Sequence, residues 1–241
     1  MAGKPGKILK GMSKYTENHG HYFTFPLKLL WFNDPVNQKK TIQDCIDYSI
    51  WKFMDSGKCG NGTDSSKHKK AQELLNFSGG TIDKYKNTYS RISQTITKGD
   101  IYTSVKTSYL FDARENILKL ELLLMVAAIK SIIGHKRNFA KAYTAVIIRR
   151  MYGHEMPLSR RQFTKLVSDG MAKRMFTLIP AGRGYYVSIR FTVNELKEKV
   201  TQSITKYEGK RIEAAQAGKD IRTLKKQLFK EYKQIPKTCT P

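Results

Sequence analysis

The residues best suited to chemistry lie between 159 and 174. Ser159-Arg160-Arg161-Gln162 sets a hydroxyl three residues ahead of an amide side chain, the spacing with which side chains cap the start of a helix. Beyond it Phe163, Leu166, Val167 and Gly170 recur on one side of a helix reaching about Lys173, and Arg160, Arg161, Thr164, Lys165 and Ser168 recur on the other. A face of Arg, Lys, Ser and Thr on a short capped helix suits the major groove of DNA. Guanidinium groups fork onto guanine, ammonium and hydroxyl groups reach phosphate or base edges, and the helix N-terminus attracts phosphate. The plain alternative is a solvated face on a core helix. Lys173 and Arg174 follow at the end of this segment, and Arg149 and Arg150 close the segment before it.

Other chemistry is poorly supplied. No glycine-rich phosphate loop ends in Lys-Ser/Thr, and no nucleophile elbow is present. Acidic residues are scattered, so a two-metal nuclease lacks a carboxylate cluster. His19-Gly20-His21 with Tyr85 and Tyr89 raises a rolling-circle nickase, which pairs His for metal and Tyr for strand attack. Gly20 is wrong between strand histidines, and both tyrosines continue an apolar helical stripe. Cys45, Cys59 and His68 match no zinc spacing, and the three cysteines, Cys45, Cys59 and Cys239, fit free thiols in a reducing compartment. The expectation is no enzyme, no cofactor and no metal.

Charge points the same way as the capped segment. The 241 residues carry 44 Lys/Arg against 20 Asp/Glu, a net +24, with a pI near 9.9. Self-repulsion of that size calls for a counter-charged partner, and nucleic acid releases counterions when Lys and Arg neutralise its phosphates. Residues 136–190 hold twelve Lys/Arg and only Glu155 and Asp169. No apolar run is long enough for a membrane span, and no signal-peptide core follows the basic N-terminus. An intracellular protein with no membrane partner is expected.

The elements that must position these residues read as follows. Residues 1–21 form a flexible basic arm. Tyr22 to Leu27 is a short aromatic strand ended by Pro26. A helix runs from about Gln38 to Phe53, with Ile42, Cys45, Ile46, Ser49, Ile50 and Phe53 on one face and Asp34-Pro35 before it. A short helix follows from Lys67 to Phe77, capped by Asp64 or Ser65. After the Ser78-Gly79-Gly80 turn, Thr81 opens a helix carrying Ile82, Tyr85, Tyr89 and Ile92. Helix, glycine turn and helix give a candidate helix-turn-helix, with Thr81 and Lys84 at its second helix as DNA-binding candidates. Thr95 to Thr103 reads as a hairpin, a first wing. Asp112 and Glu115 look like a capping box opening a core helix from Ile117 to Ile133, ended by Gly134. Asn138 is expected to cap a helix from Phe139 to Met151, with Ala142 and Val146 inward. Thr192 starts the last helical region, with Val193, Leu196, Val200, Ile204 and Tyr207 in a stripe that continues through Ile212 and Leu224. That stripe packs back on the domain by default and could instead pair two copies in a homodimer.

After the capped helix come Phe176 to Pro180, then Ala181-Gly182-Arg183-Gly184, then Tyr185 to Phe191. Two strand-like segments flank a glycine-rich tip holding one Arg. Leu166 to Arg174 followed by Gly182 to Ser188 resembles the recognition helix and wing of MarR-like winged helix-turn-helix domains, over residues 111–191. The resemblance implies a fold that is mostly α with small β-hairpins, two such modules in tandem being the fuller reading. It implies binding to double-stranded DNA, with Arg183 on the backbone or in the minor groove. The expected organisation is an arm at 1–21, a helical module at 22–110, the winged-helix domain at 111–193 and basic amphipathic helices at 194–241. The tandem layout is similar to plasmid and phage replication initiators, so a transcriptional regulator or replication initiator in a bacterial cytoplasm or nucleoid is expected. The alternative is an RNA-binding or structural nucleoprotein.

Overall fold

The computed structural model describes residues 22–31, 38–75, 77, 79–135, 137–153 and 158–216. The expected arm, the His19–His21 pair, Asp34-Pro35, Cys239 and the stripe beyond residue 216 lie outside them. The described chain is mostly helical with small antiparallel sheets. It divides into two compact units: residues 22–131 with 150–153, and residues 132–149 with 158–216. Contacts therefore group 111–131 with the first unit and 194–216 with the second, where the sequence suggested borders at 110 and 193. Among the described residues no helix is long and apolar enough to cross a membrane.

In the first unit, strand β1 (Tyr22–Pro26) pairs antiparallel with β2 (Tyr102–Lys106), Phe23 opposite Val105 and Phe25 opposite Thr103. Between them come helices α1 (Gln38–Asp55), α2 (Asp64–Leu75) and α3 (Ile82–Thr95). The six residues of the expected α1 stripe are all buried. Helices α1 and α3 pack together, with Tyr48 stacked on Tyr89 at 5.0 Å between ring centres. The expected hairpin at 95–103 is corrected. Thr95 ends α3, Thr97 and Asp100 close a turn, and β2 takes β1 as its partner. The α3 stripe claims the residues a local first strand would need, and β1 supplies buried Phe23 and Phe25 for β2 to cover.

The expected helix start at Asp112 is also corrected. Asp112 lies inside α4 (Thr107–Arg114), and its carbonyl accepts the N–H groups of Ile117 and Leu118 as the chain leaves that helix. Asn116, at φ 59°, makes the left-handed step that closes it. Helix α5 (Leu120–Ile133) then begins later than expected, buried without a break from Leu122 to Ile129. Gly134 ends it at φ 71°.

The second unit holds a three-stranded sheet in the order β3-β5-β4, from β3 (Phe139–Ala142), β4 (Thr177–Pro180) and β5 (Tyr185–Ser188). The expected helix from Phe139 is thus a strand followed by α6 (Thr144–Tyr152). Asn138 is not its cap: its carbonyl accepts from the Ser188 hydroxyl at 2.8 Å and its side-chain oxygen from Arg190 at 3.0 Å. Four residues favour a strand here because both faces are used. Phe139 joins Ile179, Leu196 and Val200 in one cluster, whereas Ala140 and Ala142 share the opposite face with Val187 and Tyr185. Helix α7 (Arg160–Ala172) packs near β4 on that opposite face, and α8 (Val193–Gln216) lies against β4 and β5 through Leu196 and Val200.

Candidate nucleic-acid interface

Helix α7 is fixed at both ends by its own sequence. Ser159 Oγ accepts the Gln162 N–H at 3.2 Å and Gln162 Oε1 accepts the Ser159 N–H at 2.9 Å, a complete capping box. Such a cap contributes about 1 kcal/mol. At the other end Met175 N–H donates to Gly170 O and Arg174 N–H to Met171 O, around Arg174 at φ 53°. That is the usual glycine-closed helix end, here carrying an arginine. Gly170 has a different task. A Cβ there would enter the Phe176 ring, so the glycine sets how closely α7 approaches the strand that follows. Phe163 is buried and meets Tyr185 at 6.0 Å between ring centres.

This packing leaves the other side of α7 open. Arg160, Arg161, Thr164, Lys165 and Ser168 are exposed and line one shallow depression together with Asp169. All six belong to the same helix, so the feature is a shaped face and not a cavity. Among the described residues the side chains of Arg160, Arg161 and Lys165 take no ion pair. Lys173 and Arg174 are exposed where α7 ends.

The β4–β5 hairpin follows directly. Ala181 N–H donates to Gly184 O at 2.9 Å and Gly182 sits at φ 59°, so Arg183 stands exposed at the tip. The base is pinned by two hydroxyls. Thr177 donates to Phe191 O at 2.6 Å, and Ser188 Oγ also accepts the N–H groups of Arg190 and Phe191, each at 3.1 Å.

The remaining candidates are placed differently. Arg149 is exposed on α6, whereas Arg150 is partly buried with one guanidinium nitrogen inside protein, and its carbonyl accepts the Trp31 indole N–H at 3.0 Å. Thr81 caps α3 by accepting the Lys84 N–H at 3.3 Å. The Lys84 ammonium meets Asp47 at 3.0 Å, and Asp47 is 1% exposed. Gln43 donates to the other oxygen of Asp47 at 2.7 Å and accepts from Arg114 at 2.9 Å. These four polar groups border a cavity of about 190 Å³ walled by Phe77, Tyr85 and Phe111, where they are drawn to one another, although the Asp47 oxygen facing Lys84 takes no hydrogen bond among the described residues. Of the paired tyrosines, Tyr85 is buried, its hydroxyl donates to Gly79 O at 3.0 Å, and burial pushes its phenol up to about 12.

One residue of the α7 face, Asp169, was not among the sequence candidates. Asp169 lies one turn beyond Lys165 on the exposed stripe, a spacing that was visible. Lys141, expected on a helix, stands instead on β3 with its ammonium 6.0 Å from the Tyr186 ring centre, apart from the α7 face. No protein-family model, curated protein or solved structure matches the chain.

Proposed function

We propose that the second unit is a winged helix-turn-helix that binds double-stranded DNA, with α7 in the major groove and the β4–β5 hairpin as a wing on the adjacent backbone. The observation that carries this reading is a capped helix with one face that packs through Phe163 and Gly170 and another that, among the described residues, holds unpaired cations and hydroxyls. Strand β3, helices α6 and α7 and the hairpin follow one another in the order such a domain needs. Arg174 adds support: a non-glycine residue at φ 53° costs about 1 kcal/mol or more, and a cation beside the groove-facing helix gives that cost a purpose. The protein then acts as a transcriptional regulator or replication initiator, in a bacterial cytoplasm and carried by a plasmid or phage.

Selection of bound fragments from a random duplex pool, followed by competition titrations at moderate salt, tests the proposal. The parent protein should hold one sequence against random competitor. Replacing Arg160 and Arg161 together by Ala should remove that preference, at about 1–3 kcal/mol for each base-reading contact. Replacing Arg183 by Ala should weaken binding to all duplexes evenly, since a phosphate or narrow-groove contact carries little base information. A double mutant that holds the selected site as tightly as the parent disproves the assignment of α7. Uniform loss of all binding along one steep salt slope would indicate a structural nucleoprotein instead.

A further inference from the structure

Asp169 is out of place on a surface built to meet phosphate. It lies four residues after Lys165 and eight after Arg161, so the three share one stripe of α7, and all three line the same depression. Lys165 one turn before it and Lys173 one turn after it are both within the usual range of helical ion pairs. Neither pairs with it: among the described residues the Asp169 side chain takes no hydrogen bond or ion pair. Its backbone carbonyl serves the helix end by accepting the Lys173 N–H at 3.1 Å, and the carboxylate itself holds nothing in the fold. A half-buried anion with no partner, amid cations with none, adds nothing to stability and weakens attraction to DNA in general.

We infer that Asp169 is a specificity-determining residue that selects cytosine at one position of the target. This rests on the proposed placement of α7 in the major groove. The chemistry of the groove edges singles out the base. Guanine presents only acceptors there, N7 and O6, and thymine presents O4 and a methyl group. Adenine offers its N6 amino group beside the N7 acceptor, which repels the second carboxylate oxygen. Cytosine alone offers an amino donor, N4, with no acceptor of its own beside it. A carboxylate therefore gains a hydrogen bond at cytosine and meets repulsion at the other three bases. The unpaired state of Asp169 in the free protein keeps both oxygens ready for that contact, and Arg161 and Lys165 on the same stripe suit guanines close by.

The test uses the full chain and the duplex selected by the parent, with each position changed in turn to all four base pairs. The parent should show one position beyond those governed by Arg160 and Arg161 at which cytosine is preferred about tenfold or more, the range of a good base contact. Asp169→Ala should abolish the preference at that position alone and leave the others intact. Asp169→Asn, which can donate and accept together, should move it toward adenine. Both variants should bind random duplex as well as or better than the parent, because an anion has been removed. If both retain every base preference of the parent, Asp169 reads nothing and the inference is overturned. If the parent discriminates among no duplexes at all, the placement of α7 in the groove fails, and this inference with it.

Discussion

Helices α3 and α7 look alike in sequence and differ in what their charges do. Each is short, each opens on a hydroxyl cap, and each divides into an apolar and a basic side. On α3 the cations are answered. Lys84 meets buried Asp47 at 3.0 Å and Arg91 meets Asp44 at 2.8 Å, both carboxylates coming from α1. On α7 Arg160, Arg161 and Lys165 find no such partner among the described residues. Basic residues on an amphipathic helix are thus not by themselves a mark of an interface. The mark is a cation that the fold leaves unanswered.

The comparison can be broken from either side. The largest effect is expected at Lys84→Met, which strands the Asp47 carboxylate in the interior with Gln43 as its remaining partner. Loss of one member of a buried pair costs about 3–5 kcal/mol, and the half-exposed ammonium places the value at the low end. Denaturant unfolding should show the loss, whereas DNA affinity per folded molecule should hold. Arg161→Met should reverse the pattern, with stability kept and site preference lost. If Lys84→Met leaves the unfolding midpoint unmoved, the pair with Asp47 is not structural and α3 returns as a binding candidate.

Arg174→Gly comes next. Relief of the left-handed strain should raise stability by about 1 kcal/mol, read as a higher melting temperature, and lower the affinity for duplex. A gain in stability with no change in affinity would leave that arginine without a function at the groove.

The smallest effect concerns pH. His68 packs at 5.7 Å from Tyr85 and 6.2 Å from Phe77 between ring centres, its buried Nε2 taking no hydrogen bond among the described residues. Burial lowers its pKa below 6.5. The unfolded chain therefore takes up a proton before the folded one, so stability is full above about pH 6.5 and declines as pH falls toward the depressed value. His68→Phe should flatten that decline in unfolding curves measured from pH 7 to pH 5. An unchanged slope would mean that His68 titrates alike in both states.

Helix α7 and the hairpin were legible because their signals are local. The cap, the division of faces and the glycine tip all fall within 159–188. Strand β3 was hidden by its composition, since Phe-Ala-Lys-Ala suits a helix and only its place beside β5 makes it a strand. The β1–β2 pair was hidden by distance, its partners lying some eighty residues apart. Asp112 misled because Asp-x-x-Glu running off the end of a helix looks the same as the box that opens one. The ion pair of Lys84 was hidden for a third reason: the carboxylate that meets it belongs to another helix, and no periodicity announces such a partner.

The separation of faces on α7 has a consequence for how such a protein changes over generations. Phe163 and Gly170 hold the helix in place, and the side chains at 160, 161, 164, 165, 168 and 169 carry no packing duty. Those six positions can be rewritten while the scaffold stays intact, so under the proposed function a new DNA address would arise by a few exposed substitutions, each tolerated by the domain that displays it.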